Sequence, residues 1–194
     1  MAEQATRTGD GARSRRRDVA VGAATLALAV VVALVQSSVA AAVLRGLLVL
    51  ALVPCAVIDL ERRIIPNRIT GPGAVVALAA GLALDPGGEL TRVLWALGAG
   101  GILLIASLLR PAGIGMGDVK LTGMMGLFLG RSVVVALLAA LVASVLTGVA
   151  LATRRGVYAA RKTALPFGPY LAFGGILAAL VGDPIIHWYL HLHG

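Results

Sequence analysis

Seven long apolar blocks constrain this chain more than any other feature of its sequence. They lie at residues 18–35, 39–58, 69–84, 91–109, 118–130, 132–152 and 167–190. An apolar helix of about 20 residues spans the hydrocarbon core of a bilayer, and in lipid the backbone must satisfy its own hydrogen bonds. Only 13% of the residues are charged, against about 25% in soluble domains, and the mean hydropathy is +0.94. We therefore predict an all-α membrane protein, a polytopic bundle of about seven transmembrane helices in the lipid bilayer.

The basic residues predict how this bundle is oriented. Most of the Lys and Arg residues lie in four segments, at 1–17, 59–68, 110–120 and 153–165. Short loops rich in Lys and Arg stay on the cytoplasmic side, so the N-terminus is predicted to be cytoplasmic. The net charge of +8 does not indicate a nucleic-acid partner. Its cations lie between apolar blocks rather than on one face, and aromatic residues make up only 4% of the chain.

The chain is predicted to form one membrane domain with a short N-terminal extension. Residues 1–17 are polar and basic, and we expect a disordered cytoplasmic tail there, followed by a single transmembrane domain at 18–194. The block at 18–35 also resembles the apolar stretch of a signal peptide, because small residues follow it. The next helix runs from outside to inside in either case, so the downstream topology is the same.

A few polar residues are predicted to lie at the outer end of the bundle. Arg45 lies inside the second block, and we expect its side chain to reach outward to the membrane surface. Arg92 and Arg131 are expected at outer helix ends. His187 and His191 have the spacing of a metal pair, but neighbouring aromatic residues favour an interfacial anchor.

Two aspartates lie at the predicted cytoplasmic ends of apolar blocks. Asp59 ends the second block, and Asp118 opens the fifth, whose 13 residues cover only about 20 Å and recess Asp118 below the surface. Two full helices between them return the chain to the same face. Intramembrane carboxylates are costly and therefore candidates for function. An adjacent pair can share a proton and act as acid and base, which is the chemistry that activates water.

On spacing alone, other roles for these aspartates stay open. Asp118 suits a helix N-cap, and Asp59 could pair with Arg62 or Arg63. A small proton- or ion-coupled transporter could use the same two carboxylates. A membrane scaffold with structural aspartates is a further alternative.

Three segments resemble the motifs of the type IV prepilin peptidases. They are Asp59 with Ile65-Pro66-Asn67, then Gly115-Met116-Gly117-Asp118-Val119-Lys120, then Leu165-Pro166-Phe167-Gly168-Pro169-Tyr170. The resemblance covers about residues 45–182. It favours the short, peptidase-only members, similar to the Flp/Tad-type prepilin peptidases and the preflagellin peptidases. It implies a six-helix GxGD-type aspartyl protease core at 39–190, with the helix at 18–35 as an addition.

The same resemblance implies a function and a set of site residues. The protein would be an intramembrane aspartic endopeptidase of the inner membrane, removing the short basic leader of type IV pilin-like precursors at the cytoplasmic face. Asp59 and Asp118 would be its catalytic pair. The matching positions that would support the site or bind substrate are Gly115, Gly117, Lys120, Pro66, Asn67, Pro166 and Gly168. No metal or other cofactor is expected, since paired carboxylates suffice to activate water.

N-methyltransferase activity is not expected. Larger members of the family methylate the new N-terminus and carry an insert that often has paired CxxC motifs. Cys55 is the only cysteine of this chain, so no such motif is present. We expect it to be a small packing residue within its helix.

Helix dipoles predict different starting states for the two aspartates. A negative charge is favoured at a helix N-terminus and disfavoured at a C-terminus. Asp118 opens a helix and Asp59 ends one. We therefore expect Asp118 to begin the reaction as the base and Asp59 as the acid.

Overall fold

The computed structural model describes residues 2–109, 114–155 and 166–193, and within these ranges the regular structure is helical. Seven α-helices follow one another along the described chain. They are α1 (Ala2–Leu34), α2 (Val39–Arg62), α3 (Asn67–Leu84), α4 (Pro86–Leu109), α5 (Met116–Leu129), α6 (Val133–Arg155) and α7 (Gly168–His193). A 3₁₀ turn, Gly130–Ser132, joins α5 to α6. The predicted all-α architecture is confirmed.

Six helical stretches are long and apolar enough to cross a membrane within the described residues. One of them, Met116–Arg154, contains 39 residues and combines α5, the 3₁₀ turn and α6. At about 1.5 Å per residue, the α5 part of this stretch covers about 21 Å and the α6 part about 35 Å, against a core about 30 Å thick. Many of its large apolar side chains are exposed, among them Leu138 and Leu146, as lipid-facing positions require.

Helix α5 ends because the backbone turns sharply at Gly130. Its φ is 56° and its N–H bonds to the carbonyl of Gly126, a conformation that glycine adopts without a Cβ penalty. Beyond the turn, α6 runs antiparallel to α7: Gly182 lies against Ser132, and Gly174 lies against Ala136. The chain therefore crosses the bundle in α5 and returns in α6.

The N-terminal segment differs from its prediction. Residues 1–17 were expected to form a disordered tail, but α1 begins at Ala2 and continues without interruption to Leu34. The polar composition of this segment does not prevent helix formation, because Ala, Glu, Gln and Arg all have high helix propensity.

The centre of the bundle is closely packed. Leu48 and Leu52 of α2, Met125 of α5 and Leu171 of α7 are fully buried. Gly126 lies directly against the backbone of Ala96, so that a Cβ at this position would clash. Small residues let two membrane helices approach in this way, and the contact holds α5 in its register along α4.

Arg45 and Arg92 define what we name the arginine end of the bundle. The Arg45 side chain extends from α2 toward Gln36, which precedes that helix. It is buried and pairs with Asp183 of α7 and with Gln36. Asp183 also accepts a hydrogen bond from the Ser132 hydroxyl. A carboxylate within reach inside the bundle makes burial of this cation tolerable.

Arg92 is buried in the same way, and does not simply occupy an exposed helix end. Its guanidinium donates to Asp85 Oδ2 at 2.6 Å and to Glu89 Oε2 at 2.7 Å. The hydrogen bond from Arg92 lowers the pKa of Asp85, which lies between the membrane-spanning helices α3 and α4. Arg131, at the same end, lies 2.8 Å from the imidazole Nε2 of His187.

Candidate active site

Asp59 lies in the last turn of α2, not beyond its end. The helix continues to Arg62 and stops where Arg63 adopts a left-handed conformation with φ 54°. The Arg63 N–H then donates to the Asp59 carbonyl at 2.8 Å. The Asp59 side chain is only 6% exposed, so the end of α2 holds this carboxyl group inside the protein.

Asp118 is the third residue of α5. Gly115 is the N-cap of the helix, so the alternative in which Asp118 is the N-cap is not observed. Its Oδ2 instead accepts the N–H of Gly115 at 3.1 Å, and this bond fixes the side chain against the first turn. The residue is buried, with 8% exposure.

The two aspartates line one small cavity of about 200 Å³. Arg63, Ile64, Ile65, Gly115 and Gly117 complete its lining. We name this part of the molecule the carboxylate end. Arg45 precedes Asp59 on α2 by 14 residues, so the two ends are separated by about 21 Å along that helix.

A third segment closes on Asp59 from the start of α7. The N–H of Gly168 donates to Asp59 Oδ2 at 3.0 Å. A Cβ at Gly168 would lie 2.6 Å from the same oxygen, so only glycine allows this approach. Pro166, two residues earlier, leads into the helix, while Leu165 of the same sequence motif lies outside the described residues.

The loop between α2 and α3 packs directly against the start of α5. A Cβ at Gly117 would lie 2.9 Å from the Cβ of Ile65, so glycine is required at this contact as well. Gly115 is less constrained, because its nearest atom would be Asp118 Oδ2 at 3.5 Å. Pro66 then serves as the N-cap of α3, a position where its missing N–H costs nothing.

Lys120 and Asn67 join the first turns of α5 and α3. Lys120 Nζ donates to Asn67 Oδ1 at 3.0 Å. Neither residue lines the carboxylate cavity; both line a separate apolar groove between α3, α4 and α5. Some motif residues therefore line the cavity that contains the two carboxyl groups, whereas Asn67 and Lys120 line the neighbouring groove.

Neither aspartate forms an ion pair with any side chain in the described ranges. The alternative in which Asp59 pairs with Arg62 or Arg63 is therefore not observed. Each carboxylate accepts one backbone N–H, from Gly168 or from Gly115.

The two aspartates have similar positions relative to helix dipoles in this structure. Asp118 lies in the first turn of α5, as expected. Asp59, although at the C-terminus of α2, accepts the N–H of the first residue of α7. Both carboxyl groups therefore face the positive end of a helix, so helix polarity alone no longer assigns acid and base.

The arrangement is suited to acid–base chemistry by two carboxyl groups. Two such groups at one buried cavity cannot both ionise without repulsion, so they tend to hold one proton between them. Among the described residues, no three His, Cys, Asp or Glu side chains cluster in a way that could hold a metal ion.

Sequence reasoning missed Arg63 and Ile65 as parts of this site. Ile65 belongs to the Ile65-Pro66-Asn67 motif, but its contact with Gly117 depends on how α5 packs against the α2–α3 loop. Arg63 lines the cavity because its backbone is left-handed, a conformation uncommon outside glycine that carries no sequence signal here.

The fold and the site together define a polytopic helical membrane protein with two buried carboxyl groups at one end of its bundle. The sequence model of the type IV leader peptidase family matches residues 46–152, and the chain belongs to this family. This confirms the resemblance found in the motifs.

Individual relatives agree with this assignment. The chain is 34% identical over 179 residues to a prepilin leader peptidase/N-methyltransferase of Aeromonas salmonicida, covering 86% of this chain and 58% of the relative. It is 37% identical over 145 residues to the protein of the same name from Bacillus subtilis, covering 73% and 56%. The chain thus spans a little over half the length of these curated relatives. No solved structure matches it.

Proposed function

We propose that this protein is an aspartic endopeptidase that cleaves the leader from type IV pilin-like precursors at the cytoplasmic face of the inner membrane. One observation carries the proposal: Asp59 and Asp118 line a single buried cavity, and neither forms a salt bridge with a described side chain. Carboxyl groups held in this way are available to exchange protons with a substrate. Membership in the leader peptidase family supports peptide hydrolysis as the reaction.

In the proposed mechanism, one aspartate acts as a base and the other as an acid. The ionised carboxylate takes a proton from water while the water oxygen attacks the carbonyl carbon of the scissile peptide bond. The protonated carboxyl group stabilises the developing oxyanion by donating a hydrogen bond. The carbon–nitrogen bond then breaks, and a proton passes to the leaving amine. The pair returns to its original charge with one proton between its members.

The neighbouring residues position the pair in this proposal. Gly168 donates its N–H to Asp59 and Gly115 donates its N–H to Asp118, so each carboxyl group keeps one oxygen fixed. Gly117 allows the Ile65 loop to close against α5. Pro66 and Pro166 start α3 and lead into α7, which holds these donors and contacts in register.

The bond between Lys120 and Asn67 has a different proposed role. It spans the first turns of α5 and α3 at the boundary between the carboxylate cavity and the adjoining groove. The two residues would fix the position of Asp118 relative to the α2–α3 loop, and they are placed to meet a substrate that enters from the groove.

Cleavage of a tagged prepilin tests the proposal directly. We expect the wild-type protein to release the leader, and Asp59→Asn and Asp118→Asn each to reduce cleavage by about 10³-fold or more. Asp85→Asn is the matched control, because it makes the same chemical change at the arginine end. Cleavage that persists in either active-site variant removes that residue from the pair. Charge movement without cleavage by the wild type would support a transporter instead.

We further propose that this chain does not methylate the new N-terminus. The support is its single cysteine, Cys55, which is buried in α2. Mass spectrometry of the cleaved product, formed in the presence of S-adenosylmethionine, should show an unmodified amine. A product heavier by one methyl group would overturn this proposal.

A further inference from the structure

An apolar groove of about 630 Å³ opens beside the carboxylate cavity, between α3, α4 and α5. Most of its lining is aliphatic or glycine, and only three polar side chains contribute to it. Its lining includes Asn67, Gly71, Ala74, Leu78, Leu97 and Gly123. Such a surface inside a membrane-spanning bundle suits an apolar occupant.

The polar end of the groove lies beside the candidate active site, although the two cavities share no lining residue. Its polar end contains Asn67 and Lys120, which lie 3.0 Å apart. Asn67 directly follows Pro66, and Lys120 follows Asp118 by two residues. From Asn67 the lining continues along α3 to Leu78, a distance of about 16 Å at the helical rise. The groove therefore leads from the carboxylate end about halfway across a bilayer core.

Small residues shape the groove for a helix. Gly71 and Ala74 of α3, Ala96 of α4 and Gly123 of α5 leave its walls without side-chain bulk. A Cβ at Gly71 or Gly123 would meet no other atom within 4 Å, so neither glycine is required by the internal packing of the bundle. Surfaces of small residues allow the backbone of a second helix to approach closely. A lipid acyl chain is flexible and does not need such a surface, so the lining favours a helix as the occupant.

We propose that this groove binds the apolar membrane segment of the peptide substrate, as a helix lying along α3 and α5. The inference rests on the proposed function, since it assumes that Asp59 and Asp118 cleave a membrane-anchored peptide. A helix in the groove ends at Asn67 and Lys120. The chain beyond that point leaves the helix and enters the carboxylate cavity in extended form. Substrate selection would then depend on an apolar helix next to the scissile bond as well as on the leader.

Substitutions that fill the groove test this proposal, because they should change KM for a substrate that occupies the groove. Gly71→Leu and Gly123→Leu place a side chain in the groove, and Gly148→Leu on α6 is the matched control, because its Cβ also meets nothing within 4 Å. For a tagged full-length prepilin we expect the two groove variants to raise KM by about tenfold or more. For a short peptide that spans only the cleavage site, their kcat/KM should equal that of wild type.

Crosslinking provides a second measurement that does not depend on activity. A photoreactive residue replaces Leu97 in the wall of the groove, or Leu141 on the exposed face of α6 as the control. Asp118→Asn in both proteins keeps the prepilin uncleaved. We expect crosslinks to the apolar segment of the prepilin from position 97 and none from position 141.

Two outcomes would overturn the inference while leaving the proposed function intact. One is wild-type KM for the full prepilin in both groove variants, with position 97 crosslinking only to lipid. The other is an equal loss of activity on prepilin and short peptide, which would place the defect in the carboxylate site. Absence of cleavage by the wild-type protein would instead remove the proposed function itself.

Discussion

The two ends of the bundle treat buried charge in opposite ways. At the arginine end, Arg45 pairs with Asp183, and Arg92 pairs with Asp85 and Glu89. At the carboxylate end, Asp59 and Asp118 accept backbone N–H groups but have no ion pair among the described residues. Helix α2 contributes to both ends, so the contrast arises within one continuous bundle.

In the proposed function, the arginine end serves stability and the carboxylate end serves chemistry. Removing one partner from a buried ion pair leaves an uncompensated charge and is strongly destabilising. Removing a buried charge that has no ion-pair partner instead removes its desolvation penalty and should not destabilise the fold. Substitutions at the arginine end should therefore change stability, whereas substitutions at the carboxylate end should change activity.

The largest expected effect is at the carboxylate end. Asp118→Asn should abolish prepilin cleavage, a loss of about 10³-fold or more, while the melting temperature of the detergent-solubilised protein stays equal or rises. The neutral amide has nearly the same shape and removes repulsion from the cavity. Thermal unfolding and cleavage are measured on the same preparation. A large drop in melting temperature would show that Asp118 is structural.

The next largest effect is expected at the arginine end. Asp183→Ala leaves the buried guanidinium of Arg45 without its carboxylate and should cost roughly 3 kcal/mol of unfolding free energy. Cleavage per folded molecule should remain near wild type. The control is the double variant Arg45→Met with Asp183→Leu, which removes both charges and should recover most of the stability. An unstable double variant would contradict the charge-pair explanation.

An added methyl group should affect the two ends differently as well. Gly168→Ala places a Cβ 2.6 Å from Asp59 Oδ2, and relieving this overlap costs about 1–3 kcal/mol. We expect kcat to fall by at least about tenfold. Gly182→Ala places a Cβ 2.8 Å from the Cβ of Ser132 at the arginine end and should lower stability only. Equal kcat values in the two variants would contradict the positioning role of Gly168.

A smaller effect is expected between the carboxylate site and the groove. Lys120→Met removes the hydrogen bond to Asn67 while keeping most of the side-chain length. An exposed bond of this kind is worth about 1 kcal/mol, so kcat/KM should fall by a factor of about five. Asn67→Ala should give the same loss, and the double variant no further loss. Additive losses would show that the two residues act separately.

The smallest effect concerns the pH dependence of stability at the arginine end. The hydrogen bond from Arg92 lowers the pKa of Asp85 in the folded protein, so its stabilisation is present above the unfolded pKa of about 3.9. It is lost as pH falls through the lower folded value. Because the side chain is half exposed, Asp85→Asn should reduce the melting temperature at pH 7 by only about 1–2 °C. The difference from wild type should shrink as pH falls below the unfolded pKa.

The sequence predicted the membrane helices and the two aspartates from local patterns. Apolar blocks and intervening charges identify spans directly, and two spans between Asp59 and Asp118 place them on one face. The contacts that complete the site are not local. Gly168 and Asp59 are separated by 109 residues, and Arg45 and Asp183 by 138. Such pairs depend on the rotation and register of packed helices, which hydrophobic patterns do not specify.

The approach of Gly168 to Asp59 has a consequence for biosynthesis. Membrane helices are made in chain order, so both aspartates are present before α7 leaves the ribosome. At that stage Asp59 lacks the N–H that the last helix supplies, and the carboxylate cavity lacks one of its neighbours. The site is complete only when the final helix has inserted. A nascent or truncated chain that lacks α7 therefore contains both aspartates without the contact that orients Asp59. The carboxylate site acquires its geometry only when α7 has packed against α2.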